Sequence, residues 1–190
     1  MTAFLIAPAR EADLDTILAF RLEASRWLQE KGIDQWTRPW PDEETQEQRI
    51  LASIQAGETY MIWDRDAPIA TVAVDTFADP RLWTEAERAE AAYYVHRLIV
   101  RRAYGGIGLG AEITDWAGAR AAKAGKRWIR VDVWTTNVPL QRWYREQGFT
   151  HVRTLDTSDY PSGALFQRPT CVHPTPRLRE VGGTPRARDL

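Results

Sequence analysis

Four glycines stand within six residues at Gly105-Gly106-Ile107-Gly108-Leu109-Gly110, and the sequence on either side makes them restrictive. Ahead of them Ala92 to Val100 is an apolar, β-rich run, and from Ile107 to Ala124 apolar residues recur at helical spacing. The chain must pass from strand to turn to helix over a backbone almost bare of side chains. Glycine adopts positive φ at little steric cost and lets another group approach the main chain closely. The first turn of a helix adds N–H groups and the positive end of its dipole, so the arrangement suits an anion such as a pyrophosphate. The same glycines also suit a turn that only packs a helix closely against a sheet.

Spacing judges two rival phosphate loops. Gly106 to Ala111 matches the dinucleotide pattern G-x-G-x-x-A, with Asp132 downstream as a ribose-binding acid. In that fold the glycines follow the strand almost at once and the acid ends a strand, whereas here residues 101–105 intervene and Asp132 sits inside the run Trp128 to Trp134. No Gly-Lys-Ser/Thr follows, which excludes a Walker-type loop.

The remaining pattern surrounds this unit with short strands and helices. Phe4 to Pro8 reads as a strand, followed by an amphipathic helix carrying Leu14, Ile17, Leu18, Phe20, Leu22, Ala24 and Leu28 and ending near Gly32. An aromatic loop from Asp34 to Asp42 leads to a helix from Glu43 to Ala56, and Glu58 to Trp63 with Pro68 to Val74 form a hairpin. A polar connector, with the charged run Thr84 to Glu90 read as a solvated face, precedes the strand at Ala92. Downstream come a strand Trp128 to Trp134, a helix Pro139 to Gln147 stopped by Gly148, and strands Phe149 to Leu155 and Ala164 to Arg168. Residues 1–168 thus read as one domain and 169–190, rich in Pro, Gly, Thr and Arg, as a disordered tail.

Charge and cysteine usage narrow the partners. A net charge of -1, from 25 basic and 26 acidic residues, points away from nucleic acid. Cys171 is the single cysteine, and His96, His151 and His173 are scattered, so no metal site is expected. The N-terminus lacks a basic start and a small-residue cleavage site, and no run approaches the ~18 apolar residues of a membrane span, so a cytoplasmic protein without membrane association is expected.

The run Leu98 to Ile113 resembles the acetyl-CoA motif of GNAT-superfamily N-acetyltransferases, Arg/Gln-x-x-Gly-x-Gly/Ala after an apolar strand. Gly108 and Gly110 match its small residues, and Gly105 stands where the family commonly has Arg or Gln, with Arg101 or Arg102 as compensating charge. Asn137 to Phe149 resembles the family's second segment, in which Asn begins a helix that carries a Tyr and ends in Gly-Phe. The resemblance covers about residues 3 to 168 and implies an α+β fold: a mixed, largely antiparallel sheet of six or seven strands, splayed at its centre, with about four helices. It also implies acetyl-CoA as co-substrate, held by Leu98, Ile99, Val100, Gly105, Gly106, Ile107, Gly108, Leu109, Gly110, Ala111, Asn137 and Tyr144.

Chemistry assigns further roles. A thiol of pKa about 8.5 and a phenol of about 10 differ by ~1.5 units, about 2 kcal/mol, so Tyr144 is a candidate acid for the departing sulfur; it also reads as a packing tyrosine. Asn137 reads equally well as a helix N-cap. An amine of pKa about 10.4 must lose a proton before it attacks, and His96, on the face of Leu98 and Val100 by strand alternation, is the candidate base beside a water relay or a purely structural histidine. By resemblance the acceptor pocket draws on the first two helices and their connector, where Trp27, Trp36 and Trp40 offer ring faces to a cationic amine or cap the core. The expected activity is acetyl transfer to a small-molecule or peptide amine by a monomer or homodimer. The competing readings are a catalytically silent CoA-binding module and a nicotinamide-dependent oxidoreductase.

Overall fold

The computed structural model describes residues 3–38, 41–156 and 160–182, so Trp40 lies outside the described residues. Among the described residues eight strands form a mixed, mostly antiparallel sheet with five α-helices, the fold class expected. In chain order the elements are β1 (Phe4–Pro8), α1 (Leu14–Glu30), α2 (Glu43–Gln55), β2 (Thr59–Asp64), β3 (Ala67–Asp75), α3 (Glu85–Ala89), β4 (Ala92–Val100), α4 (Leu109–Lys123), β5 (Trp128–Val133), α5 (Val138–Glu146), β6 (Thr150–Thr154), β7 (Ala164–Pro169) and β8 (Leu178–Glu180). They fall into two compact units, one from residues up to 73, 97–113 and 174 onward, the other from 74–96 and 114–173.

In the first unit the strands run in the order β8-β1-β2-β3. β2 and β3 make the expected antiparallel hairpin, from Thr59↔Ala73 to Asp64↔Ala67, with Arg65 turning at φ 55°. Ile17 and Phe20 of α1, three residues apart, join Ile50 and Ile54 of α2, Met61 of β2 and Ile99 of β4 in one apolar cluster. Leu22 is off that stripe and half exposed. Asp42 caps α2 by accepting from the Thr45 amide at 2.8 Å. Contrary to the expected disorder after Pro169, β8 pairs in parallel with β1 from Phe4↔Leu178 to Ile6↔Glu180. Three residues without alternation carry no local strand signal, and the pairing comes from the open edge of β1.

The second unit orders its strands β4-β5-β7-β6. Leu82, Trp83, Ala92, Tyr94 and Leu165 make its apolar cluster, flanked by Trp128, Val152, Leu155 and Tyr160. The charged run before β4 is not merely a solvated face: it contains α3, closed by a capping box in which Thr84 and Glu87 bond each other's amides. Glu87 is also gripped by Arg153 at 2.6 Å, which, with the Thr84 bonds, lowers its pKa to about 2. Arg130, fully buried on β5, lies over Trp83 and donates to Tyr94 Oη (3.0 Å), Glu87 O (2.5 Å), Gln167 Oε1 (3.2 Å) and the Glu90 carboxylate. Removing one partner of a buried pair strands the others, so Arg130→Ala should cost about 3 kcal/mol of unfolding free energy. Arg130→Met should cost clearly less; equal denaturant midpoints for wild type and Arg130→Ala would contradict this account.

Candidate functional site

The glycine loop lies in the first unit and divides by conformation. β4 ends at Val100, the Arg101 amide bonds Ile69 O at 2.9 Å, and a 3-10 turn at Arg102–Tyr104 follows. Gly106 and Gly108 take φ of 80° and 81°, the left-handed region that side chains avoid. Gly105 does not: its backbone is extended at φ -68°, and an added Cβ would lie 3.1 Å from Arg102 O. The two positive-φ residues delay α4 to Leu109, two residues later than expected, and Glu112 N then bonds Gly108 O at 3.2 Å. Gly105, Gly106, Ile107 and Gly108 are exposed, Leu109 is buried, and Gly110 and Ala111 are half-buried in the first helical turn. This places exposed backbone ahead of a helix N-terminus, the arrangement that favours a phosphate.

Nearby charges are mostly engaged. Arg101 Nε pairs with Glu23 Oε2 at 3.3 Å, and the Arg102 amide donates to Glu23 Oε1 at 3.0 Å. The Arg102 guanidinium lies 3.8 Å from the Trp27 ring centroid and 3.6 Å from where a Gly105 Cβ would be. Trp36, at φ 63°, packs on the α1–α2 cluster and lies under Arg21, with its carbonyl accepting from Ser25 Oγ at 2.9 Å. Both described tryptophans of the expected acceptor pocket thus already hold an arginine of this chain on a ring face, and Trp36 serves the core.

His96 belongs to the second unit and sits between two carboxylates. Its Nε2 is 3.4 Å from Asp75 Oδ2 and its Nδ1 3.4 Å from Asp132 Oδ1, while Tyr160 Oη donates to Asp132 Oδ2 at 2.7 Å. The β4–β5 ladder covers Ala92↔Trp128 to Tyr94↔Arg130, whereas β5 pairs with β7 through Val133↔Ala164; His96 and Asp132 lie just past the shorter ladder's end. Burial pulls the imidazole's pKa down, but the hydrogen bonds and charges of Asp132 and Asp75 outweigh it and carry it up to about 9. The two carboxylates thus favour the protonated imidazole, which weighs against the expected role of His96 as base. The simple alternation expected through His96 is also broken, because Arg97 takes φ 49°. Neither Asp75 nor Tyr160 was expected in a site; they lie far from His96 in sequence and only the fold joins them.

The pairing has a thermodynamic sign. A histidine whose folded pKa is raised contributes stability that is fully present below its unfolded value near 6.5 and is lost as pH rises through about 9. Unfolding free energy should therefore fall between about pH 6.5 and 9 by up to about 3 kcal/mol. Denaturant titrations across that range test it, and His96→Gln should flatten the slope.

On α5 the expected residues are ordered by local chemistry. Asn137 is the N-cap, its Oδ1 accepting from Leu140 N at 3.0 Å, and Pro139 stands in the first turn. Gln141 Nε2 ties the helix to Trp134 O and Thr135 O. Gly148 closes it at φ 81°, with Phe149 N bonding Tyr144 O at 3.1 Å. Tyr144 is buried among Trp143, Phe149 and Phe166, and its hydroxyl has no hydrogen-bond partner among the described residues. Desolvation first, and the charge of Asp132 second, push its pKa well above the ordinary 10. The gap to a thiol is therefore wider than free phenol values give, which favours donating a hydrogen bond over surrendering the proton.

Comparison with known proteins agrees with this fold. The family model described as Acetyltransferase (GNAT) family matches residues 23–149. An uncharacterized N-acetyltransferase, YesJ of Bacillus subtilis (strain 168), is 29% identical over 161 residues, covering 83% of this chain and 87% of its own. The crystal structure of a GNAT-family acetyltransferase from Listeria monocytogenes 4b F2365 is 25% identical, with a TM-score of 0.72 over 87% of this chain and 94% of that one. That of the PaiA N-acetyltransferase from Thermoplasma acidophilum, in complex with coenzyme A, has a TM-score of 0.64 at 17% identity over 88% and 99% of the two chains. The chain belongs to the acetyltransferase (GNAT) family, a class of acyl-CoA-dependent N-acetyltransferases.

Proposed function

We propose that this enzyme transfers an acetyl group from acetyl-CoA to a primary amine by direct attack. The observation that carries the reading is the pair of left-handed glycines, Gly106 and Gly108, immediately ahead of α4, where exposed amides and the helix dipole suit a pyrophosphate. The coenzyme A bound by the Thermoplasma acidophilum neighbour supports the same ligand here. The backbone of Leu98, Ile99 and Val100 is assigned to the pantetheine arm.

In the reaction the amine nitrogen bonds the thioester carbonyl carbon, the carbon–sulfur bond breaks, and the proton the amine loses is carried through water to the departing thiolate. Tyr144 is assigned to the sulfur, as a neutral hydroxyl that stays protonated. Because Asp75 and Asp132 favour the protonated form of His96, the amine's proton is assigned to a water relay, with His96 a structural bridge between the two carboxylates. The acceptor is a small molecule or a peptide. Thiol release from acetyl-CoA over a panel of amines, paired with calorimetric CoA binding, tests the reading. CoA binding with no turnover on any amine would favour the silent module, and absence of CoA binding would end both.

A further inference from the structure

The C-terminal segment that forms β8 lies outside the part of the chain matched by the family model, and it brings an arginine to the glycine loop. Arg177 is locked on β1 by its backbone: Phe4 N donates to Arg177 O at 2.6 Å and Leu178 opens the parallel ladder. Its side chain is mostly buried and turns to the start of α4. Arg177 Nε pairs with Glu112 Oε1 at 2.6 Å, its amide donates to Glu112 Oε2 at 3.3 Å, and Nη2 lies 3.5 Å from where a Cβ on Gly108 would be. Neither terminal nitrogen has a partner among the described residues.

We propose that Arg177 is a cofactor-binding residue: it neutralises Glu112 and presents its terminal N–H groups at Gly108 to the pyrophosphate of coenzyme A. The proposal rests on the reading of the loop as a CoA site. Two physical points support it. Glu112 is a carboxylate in the first turn of the helix that would receive the phosphates, and uncompensated it would repel them. The loop itself, Gly105 to Ala111, contains no cation, and a guanidinium offers several donors in a geometry that suits phosphate oxygens. Arg102 stands at the other end of the loop, beside Gly105, so Arg177 supplies charge at the helix end.

The test measures CoA and pantetheine, which lacks the phosphates, binding calorimetrically to the full chain and its variants. Arg177→Gln should weaken CoA about tenfold while changing pantetheine less than about twofold, and Arg177→Lys should restore part of the loss. Unchanged CoA affinity, or equal loss for both ligands, would overturn the proposal. Tighter CoA binding would overturn it too, because Arg177 would then be a strap over the loop. Should Arg177→Gln not fold, Glu112→Gln decides: it should tighten CoA about threefold by removing a like charge, and weaker binding counts against Arg177. If the wild type itself binds no CoA, the loop assignment fails first and Arg177 falls with it.

Discussion

Gly108→Val should weaken CoA binding at least about tenfold while the protein stays folded. At φ 81° a residue with a Cβ costs about 1–2 kcal/mol, and a β-branched one more, so the loop must either hold a strained conformer or leave the one that presents its amides. The new side chain would also point at the Arg177 guanidinium, 3.5 Å from the first carbon alone. Gly105→Ala makes the instructive contrast. Its backbone is already extended, and the only tight contact is 3.1 Å to Arg102 O, so a shift of a few tenths of an ångström accommodates the methyl. Its CoA affinity should stay within about threefold of wild type. Tight CoA binding by Gly108→Val, measured calorimetrically alongside a thermal melt, would remove the loop from the site.

Tyr144→Phe should lower kcat about 10- to 100-fold with CoA affinity near wild type. The ring fills a space bounded by Trp143, Phe149 and Phe166, which phenylalanine fills equally well, so only the hydroxyl is lost. A hydrogen bond to a developing thiolate is charge-assisted and worth about 1.5–3 kcal/mol, which sets the size of the loss. The pH profile adds a second reading. Because burial raises the phenol's pKa above 10, the wild-type rate should not decline through pH 10 on account of Tyr144, as it would for an exposed tyrosine. Unchanged turnover in Tyr144→Phe would take Tyr144 out of the reaction.

What could be read before any coordinates was whatever is encoded locally. Asn137 as a cap, Gly148 as a stop and Gly106 and Gly108 as a turn all act through their own backbone, so sequence and structure agree on them. The capping box of α3 is equally local: Thr84 and Glu87 stand at its spacing, and only the surrounding charge hid it. Two features had no such signal. Nothing in the side chain of Arg97 announces a left-handed backbone, and that one residue upsets the alternation used to orient His96. The carboxylates that decide the protonation of His96 come from β3 and β5, so its chemistry emerges only when Asp75 and Asp132 are brought to it.

The order in which the chain emerges from the ribosome gives β8 a separate significance. β1 precedes the other described strands in the chain and β8 follows them, so one flank of β1 stays open until β8 has been made. An open strand edge offers unpaired N–H and C=O groups to any neighbouring chain. A recombinant fragment ending at Pro169, after β7 and before β8, would carry that vulnerability permanently and should self-associate. Keeping the chain through Val181, whose amide bonds Ile6 O at 2.9 Å, closes the edge.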